Sequence, residues 1–553
     1  MSGVPFEELT GKQKEVADST PPTMLVLGGA GVGKTTTALW AARRELTDHG
    51  RLGRPVLGQR VLFVTFSRTA VAQIRSRASG VMTGIADSVE IVTFHGLAYR
   101  LVCGFGRYVG IEGVPMITGE ARTKLGRRTV QDGTELVYDD LMPLALRLVK
   151  TPGLIGDLIR TRWCLVICDE FQDTDDAEWR LLQQLGLHAR LLLLADPNQM
   201  IYGYKKGVSE LRLDAARSRP GCVEFVLPPG SHRDPTQVIP DAAAEIRWRR
   251  FDTEPVRKAV TAGRLVVYAD VPDEDTDRGR AIAEQVARLR AEGHSSIGIY
   301  AKTNLDTAGL SAALTECGLE HVPIGFGEAY GESLASMVTM MQFAGGEQSW
   351  EDVRWSLGVV LTATVRSPDP PPVAVAFRDG IDLPGVLGSR LAGLRATLMN
   401  ASDALEATEA AAAAWEALGF TSGRRAWRRA GRTLIALTAR YRAGSGEVLN
   451  QVAASVARIR DESFVELDSG DTGQVQLMNF HQTKGREADA IVLSHTSNDW
   501  YGRGGEPYEE PSRVLYVSMT RARHKVVVLL PSSPHALVAQ LLQHAVHPDW
   551  FLV

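Results

Sequence analysis

Near the start of the chain, Gly28-Gly29-Ala30-Gly31-Val32-Gly33-Lys34-Thr35 has the residue types and spacing of a loop that holds a polyphosphate. Small residues at Gly28, Ala30, Gly31 and Gly33, with Val32 among them, let backbone N–H groups turn toward phosphate oxygens. Lys34 brings a positive charge to the outer phosphates, and the Thr35 hydroxyl is a ligand for Mg2+. The apolar run Met24–Leu27 precedes the loop and a helical pattern starting at Thr36 follows it. The loop is therefore expected between a buried strand and a helix whose positive end faces the anion. This arrangement predicts a nucleoside triphosphate as ligand.

Two later strand tips carry further chemistry. Leu165-Val166-Ile167-Cys168 is an apolar run ending in Asp169-Glu170-Phe171-Gln172-Asp173. At the C-terminal end of a parallel strand beside a phosphate loop, Asp169 is expected to hold Mg2+ and Glu170 to polarise an attacking water. The competing reading is an acidic helix start favoured by the macrodipole. The second tip is Leu191-Leu192-Leu193-Leu194-Ala195-Asp196-Pro197-Asn198-Gln199, where Gln199 could sense a γ-phosphate. Tyr202 and Tyr204 follow, placed either to stack on bases or to pack in a surface turn.

These tips require a scaffold of alternating strands and helices. Strand-like runs at Met24–Leu27, Val61–Thr65, Val89–Val92, Leu165–Cys168 and Leu191–Ala195 give the rhythm of a parallel sheet. A largely helical stretch from about Leu101 to Thr161 interrupts it. After Arg219-Pro220-Gly221 a second α/β pattern begins, with strands at Leu265–Ala269, Ile297–Ala301, Val475–Met478, Ile491–Ser494 and Val526–Leu530. It is divided by Ala-rich sequence and by an arginine-rich stretch, Arg424 to Arg442, in which Trp427 and Tyr441 are interleaved. That stretch reads either as a grip for duplex DNA or a protein partner, or as a solvated helix face. Segments are expected at 1–102 and 161–222 for the first sheet domain, and 223–345 and 471–553 for the second. Insertions are expected at 103–160 and 346–470.

At 553 residues, several domains are expected; 44% hydrophobic and 23% charged residues are ordinary for a globular protein. The net charge of −4 argues against a histone-like basic protein but leaves room for a local nucleic-acid groove. The five cysteines have no metal-ligand spacing and read as reduced thiols. No apolar stretch is long enough to cross a membrane, and residues 1–10 lack a signal-peptide pattern, so no membrane partner and a cytoplasmic location are expected.

The ordered motifs resemble those of the UvrD/Rep-type branch of superfamily 1 helicases. Leu9-Thr10 with Gln13 resembles that family's glutamine motif, and Gly28 to Thr35 its Walker A loop. Val64-Thr65-Phe66-Ser67-Arg68-Thr69-Ala70 resembles its strand-binding block, and Thr93-Phe94-His95-Gly96-Leu97-Ala98 its Thr-Phe-His segment. Asp169 to Thr174, Asp196 to Tyr202, Val475 to Glu487, and Leu515 to Arg523 resemble four more of its blocks, in the family's order.

The resemblance implies two tandem RecA-like parallel-sheet domains, each interrupted by a mainly helical insertion. It implies ATP with Mg2+ as cofactors, read at the adenine by Gln13 and at the ribose by Glu487. Arg521 would be an arginine finger from the second sheet domain, and Arg233 a second arginine on the phosphates. Phe66, His95, Tyr202 and Tyr204 would line a single-strand track. The departures from the family pattern are Thr36 where an adenine-stacking arginine is usual, His232 where the other stacker is a tyrosine, Lys205-Lys206 for an arginine, and Arg486 for a leucine. Thr36 and His232 imply a looser hold on adenine. The implied activity is ATP-driven translocation along single-stranded or tailed duplex DNA, 3′ to 5′. The settings left open are repair or recombination with a repair protein, and phage defence beside a separate nuclease, as in the Gabija helicase subunit that the chain also resembles. A nucleotide-gated interaction module that switches without travelling is the alternative.

Overall fold

The computed structural model of the chain describes residues 9, 11–47, 60–111, 116–126, 135–203, 207–324, 327–365, 369–442, 448–465, 475–501 and 508–546. Thr10, Tyr204, Lys205 and Lys206, singled out above, lie outside the described residues. In chain order the strands are β1 (Thr23–Leu27), β2 (Arg60–Thr65), β3 (Val89–Thr93), β4 (Met116–Thr118), β5 (Glu135–Val137), β6 (Trp163–Cys168), β7 (Arg190–Ala195) and β8 (Cys222–Val226). They continue with β9 (Leu265–Tyr268), β10 (Ile297–Ala301), β11 (Val322–Pro323), β12 (Val475–Asn479), β13 (Ala488–Ser494), β14 (Ala522–Leu529) and β15 (Ala545–Val546).

The chain divides into two compact units. The first comprises Met1–Phe94, Val149–Gly325 and Asp468–Val553 and contains both large sheets. Their strand orders are β3-β2-β6-β7-β1-β8 and β11-β12-β10-β13-β14-β9-β15, with every pairing parallel. Central strands such as β1, β2, β6 and β7 read as nearly continuous apolar runs because helices cover both faces of the sheet. Register decides where the chemistry lies. Leu27 pairs with Ala195, and Val64 with Cys168. The segments that follow these residues, beginning at Gly28, Asp196, Thr65 and Asp169, therefore share the C-terminal edge of the first sheet.

Three boundaries differ from the sequence expectation. The first sheet does not stop at residue 222, because β8 pairs in register with β1 from Thr23↔Cys222 to Leu27↔Val226. As an edge strand it leaves Val223 and Val226 exposed, so its pattern lacks the buried run of its neighbours. The insertions, expected at 103–160 and 346–470, are bounded instead at His95–Leu148 and Phe326–Leu467, and they form one unit. Ala121 and Leu125 from the first share a core with Leu334, Met337, Met340 and Met341, which lie on the helix Gly327–Ala344. Apolar packing claims that helix for the helical unit, although it directly follows the second sheet's β11 in sequence. The first insertion also holds the short parallel pair β4–β5.

In the helix Arg424–Arg442 the buried face carries Trp427, Ala430, Leu434 and Thr438, while Arg424, Arg425, Arg428, Arg432 and Arg440 are exposed. Trp427 stacks on Trp415 at 4.6 Å and donates its indole N–H to the Ala412 carbonyl at 3.0 Å. Tyr441 is bonded to Ser455 at 2.7 Å. Trp427 is thus a core residue, and Tyr441 is half-buried against the same core. No helix among the described residues is long and apolar enough to cross a membrane.

Trp427→Ala is expected to cost about 3–5 kcal/mol, whereas Arg424→Ala should change stability by about 0.5 kcal/mol or less. Urea unfolding of both variants checks this, and a Trp427→Ala chain as stable as the parent would contradict the packing described.

Candidate active site

The loop after β1 is tied to the neighbouring strand end by Gly28 N–H donating to the Ala195 carbonyl at 3.1 Å. The helix Lys34–Thr47 starts immediately after it. Gly33 has φ +90°, and a Cβ there would lie 2.5 Å from the Gln13 amide nitrogen and 3.3 Å from the His232 ring. Only glycine therefore lets Gln13 and His232 close over the loop together. Gln13 is buried and donates to the Val32 carbonyl at 2.9 Å, and the His232 backbone N–H donates to the Gly31 carbonyl at 2.9 Å. Thr36, on the first helical turn, is half-buried. Lys34 Nζ donates to the Gly28 and Gly29 carbonyls at 2.5 and 3.0 Å.

The β6 tip faces this loop. Thr35 Oγ1 donates to Asp169 Oδ2 at 3.2 Å. Glu170 takes a left-handed backbone, φ 55°, a conformation costly for a residue with a side chain and typical of functional turns. Gln172, fully buried, donates to Glu170 Oε2 at 2.8 Å and Asp173 Oδ2 at 3.2 Å, and its carbonyl oxygen accepts from Asp196 N–H at 3.1 Å. Gln199 donates to Asp196 Oδ2 at 2.7 Å. One amide network therefore joins the β6 and β7 tips.

The second sheet supplies cations to the same place. Lys484, buried, reaches Asp173 in a very close ion pair, lies 3.4 Å from Glu170 and donates to the Gln199 carbonyl at 3.0 Å. Arg521, also buried, donates from Nη2 to Gln199 Oε1 at 2.8 Å and from Nε to the Val517 carbonyl at 3.0 Å. Arg233 donates to the Thr520 carbonyl at 2.6 Å and to Glu487 Oε1 at 2.7 Å. Tyr516, on the helix Glu509–Met519, is bonded to the backbone of Ala30, and its phenol is pushed above its ordinary range chiefly by burial.

These groups set one another's charge. Burial pushes the Asp169 carboxyl up, and the Glu170 charge pushes it further. Burial alone would raise Glu170 as well, but Lys484, Lys34 and Arg521 override it and keep this carboxylate ionised. Burial works against the Lys484 charge, which Asp173 and Glu170 more than restore. Burial, then Arg233, brings Arg521 down to about 10, still cationic at neutral pH.

Thr35, Asp169, Glu170, Arg233, Lys484 and Arg521 line one cleft, beside Phe66 and Tyr202. Phe66 is backed by Phe94 at 5.4 Å between ring centres, and Tyr202 donates to the His481 carbonyl at 3.1 Å. His95 lies in the helical unit, where it stacks on Tyr138 at 4.1 Å. Glu487, which the resemblance places at the ribose, is ion-paired with the guanidinium groups of Arg233, Arg77 and Arg523. Burial opposes its charge, but Arg233 foremost, with Arg77 and Arg523, holds the carboxyl down to about 2.

Lys484, Asp173, Gln172, Arg77 and Tyr516 were assigned no role from sequence. Lys484-Gly485 is a basic residue next to a glycine in a block already singled out, but only burial shows its importance. Hard oxygen donors from Thr35 and Asp169 fit Mg2+, and the raised Asp169 carboxyl marks a position short of positive charge.

Residues 13–205 match a family model described as an AAA domain, and residues 435–533 the model of the UvrD-like helicase C-terminal domain. The ATP-dependent DNA helicase UvrD2 of Mycobacterium tuberculosis is 23% identical over 93% of this chain and 77% of its own length. The ATP-dependent DNA helicase PcrA of Leuconostoc citreum is 20% identical over 57% of this chain and 50% of its own. The RecBCD enzyme subunit RecB of M. tuberculosis is 38% identical over 98 residues, which is 18% of this chain and 9% of RecB. The chain thus spans about half the length of PcrA and a small part of RecB.

Lys484→Met is expected to destabilise the fold by about 3–5 kcal/mol, since it leaves buried carboxylates unpaired, and adding Asp173→Asn should recover much of that loss. Urea unfolding of both singles and the double checks this. Purely additive losses would deny the pairing.

Proposed function

Because this chain belongs to the UvrD/Rep-type branch of superfamily 1 helicases, we propose that it hydrolyses ATP to move along single-stranded DNA and to open duplex ahead of it. The observation that carries this reading is the buried Arg521–Gln199 contact, which brings a second-sheet guanidinium to the β7 tip of the first sheet. Glu170 orients and deprotonates the attacking water, supported by Gln172. Lys34, Arg521 and Arg233 take up the charge that develops on the transferring phosphoryl oxygens. Mg2+, held by Thr35 and Asp169, would neutralise charge on the bound phosphates. Gln13 and His232 flank the loop where adenine is read, with Thr36 beside them. Phe66 and Tyr202 offer rings to successive bases without sequence preference, and their place in the same cleft supports coupling between strand and nucleotide.

A tie between the sheets through the γ-phosphate explains how hydrolysis becomes movement. Arg521 and Arg233 grip the phosphate when it is present and lose a partner when it leaves. By family resemblance the direction is 3′ to 5′. The settings that fit are DNA repair or recombination, and phage defence with a nuclease partner.

Single-stranded DNA is expected to stimulate ATPase strongly, and Glu170→Gln should lower the stimulated turnover by about a hundredfold or more, Arg521→Ala by about a thousandfold. A steady-state ATPase assay with and without oligo-dT measures both, and a turnover indifferent to DNA would identify a nucleotide-gated switch instead.

Unwinding should require a 3′ tail. Strand displacement on duplexes carrying a 3′ or a 5′ tail tests this, and displacement only from the 5′-tailed substrate would reverse the polarity.

A further inference from the structure

The last turn of the helix Glu509–Met519 and the residue after it hold both outer guanidiniums. The Val517 carbonyl accepts from Arg521 Nε at 3.0 Å, and the Thr520 carbonyl from Arg233 Nη1 at 2.6 Å. The same turn carries Tyr516, which is buried and reaches the phosphate loop of the first sheet. Its phenol is bonded to the backbone of Ala30, and a Cβ on Gly29 would lie 3.8 Å from the phenol oxygen. Ala30 and Tyr516 also share one apolar core, together with Ile201 beyond β7 and with Val514 and Leu515 of the helix. The loop meets the segment bearing Arg233 as well. A Cβ on Gly31, at φ +79°, would lie 2.3 Å from Ser231 Oγ and 3.4 Å from the Arg233 Cβ, and the Gly31 carbonyl accepts from His232 N–H at 2.9 Å. The consecutive loop residues Gly29, Ala30 and Gly31 are therefore held by Tyr516 and by the Ser231–Arg233 segment.

We propose that Tyr516 is a positioning residue for the outer phosphate: its phenol sets the spacing between the phosphate loop and the helix turn from which Arg521 and Arg233 are held. This deepens the motor reading above and rests on it. The loop has no side chains at Gly28, Gly29 and Gly31 with which to brace itself, and its N–H groups are needed for the ligand. A contact from outside must fix it. A phenylalanine ring would fill the same space in this apolar core, so packing alone does not account for the hydroxyl. Burial first, and the Asp196 charge next, push the phenol above its ordinary range, so it stays neutral and sets no negative charge beside an incoming phosphate. The inner phosphates are cradled by the loop's own backbone and do not depend on the helix. The outer phosphate lies between the loop and the two guanidiniums, so a change in the spacing of loop and helix falls on it alone.

The test compares the parent chain with Tyr516→Phe, Ala30→Gly, Arg521→Lys and the Tyr516→Phe/Arg521→Lys double variant. Steady-state ATPase is measured over a range of ATP and oligo-dT concentrations, and ADP and the non-hydrolysable β,γ-imido analogue of ATP are each competed against a fluorescent nucleotide. Tyr516→Phe should lower DNA-stimulated kcat by about three- to thirtyfold and weaken the β,γ-imido analogue by about three- to tenfold. ADP binding and the half-saturating oligo-dT concentration should stay within about twofold of the parent. The double variant should fall no more than about twofold below Arg521→Lys, because the tyrosine acts through that arginine's placement. Ala30→Gly, which removes a methyl from the shared core on the loop's side, should show the same split between the analogue and ADP. The pH–rate profiles of the parent and Tyr516→Phe should superimpose after scaling between about pH 6 and 9.

Equal weakening of ADP and the analogue would make the tyrosine a prop for the whole loop and overturn the proposal. So would an unchanged Tyr516→Phe, or losses that multiply in the double variant. A limb missing from the Tyr516→Phe pH profile would make the phenol a proton donor, and a raised half-saturation for oligo-dT with kcat intact would place its effect at the strand; either result overturns the proposal too. If Tyr516→Phe fails to fold, the binding of ADP and the analogue to Ala30→Gly decides alone. A parent chain whose ATPase ignores DNA sinks the motor reading itself, whereas a stimulated parent with equal weakening of both nucleotides sinks only this role of Tyr516.

Discussion

The ammonium of Lys484, shut away from water between Asp173 and Glu170, is the contact from which the site takes its geometry. Removing a cation and two carboxylates from water costs several kcal/mol per ion, and only close, well-bonded geometry returns it. The bond from Lys484 to the Gln199 carbonyl supplies part of that return and fixes the β7 tip as well. With Lys484 in place, its neighbours have little freedom. Gly485 lies against Ser67, and Glu487 reaches Arg233. Three residues earlier, the His481 carbonyl receives the Tyr202 hydroxyl, and the Lys484 ammonium lies 5.6 Å from the centre of the Tyr202 ring. A short stretch of the second sheet's domain thus touches the acidic tips, Tyr202 and the helix after β2.

The charges around this contact are distributed unevenly, and the unevenness assigns roles. Glu170 is surrounded by Lys484, Lys34 and Arg521 and stays ionised despite burial. Asp169 next to it receives less help and bears the repulsion of Glu170. Lys34 is bonded to two neutral carbonyls, which phosphate oxygens would replace with stronger, charge-assisted bonds. The same chemistry distinguishes the arginines. Arg521 is buried and pinned at two points, while Arg233 is held by a carboxylate whose other ties lead out toward solvent.

Much of this was legible in the sequence because parallel strands bury both faces and leave uninterrupted apolar runs. Ten strands were found from those runs, and the register of the first sheet brings the loop at Gly28, Asp169 and Gln199 to one edge. What escaped was decided by packing rather than pattern. In the edge strand β8 the apolar residues are broken by Glu224, and Val223 and Val226 are left exposed. The helix Gly327–Ala344 follows the second sheet's β11 in the chain, yet its methionines pack in the helical unit. Trp427 stands among arginines in sequence, but the helical period turns it inward onto Trp415. Lys484 looked like one more polar residue in a loop, since a lysine shows its importance only when its surroundings remove the water. The three guanidiniums around Glu487 come from positions that no local pattern links.

In the wall of the cleft the two rings proposed for the strand lie close in sequence to the groups proposed for hydrolysis. Phe66 directly follows β2, and the Val64 carbonyl two residues before it accepts the Asp169 backbone N–H at 3.0 Å. Tyr202 lies three residues beyond Gln199, which holds Arg521. Phe66 packs against Phe94, and the Tyr202 hydroxyl is bonded to the His481 carbonyl. Each ring thus lies two or three residues from a group bonded to the β6 or β7 tip.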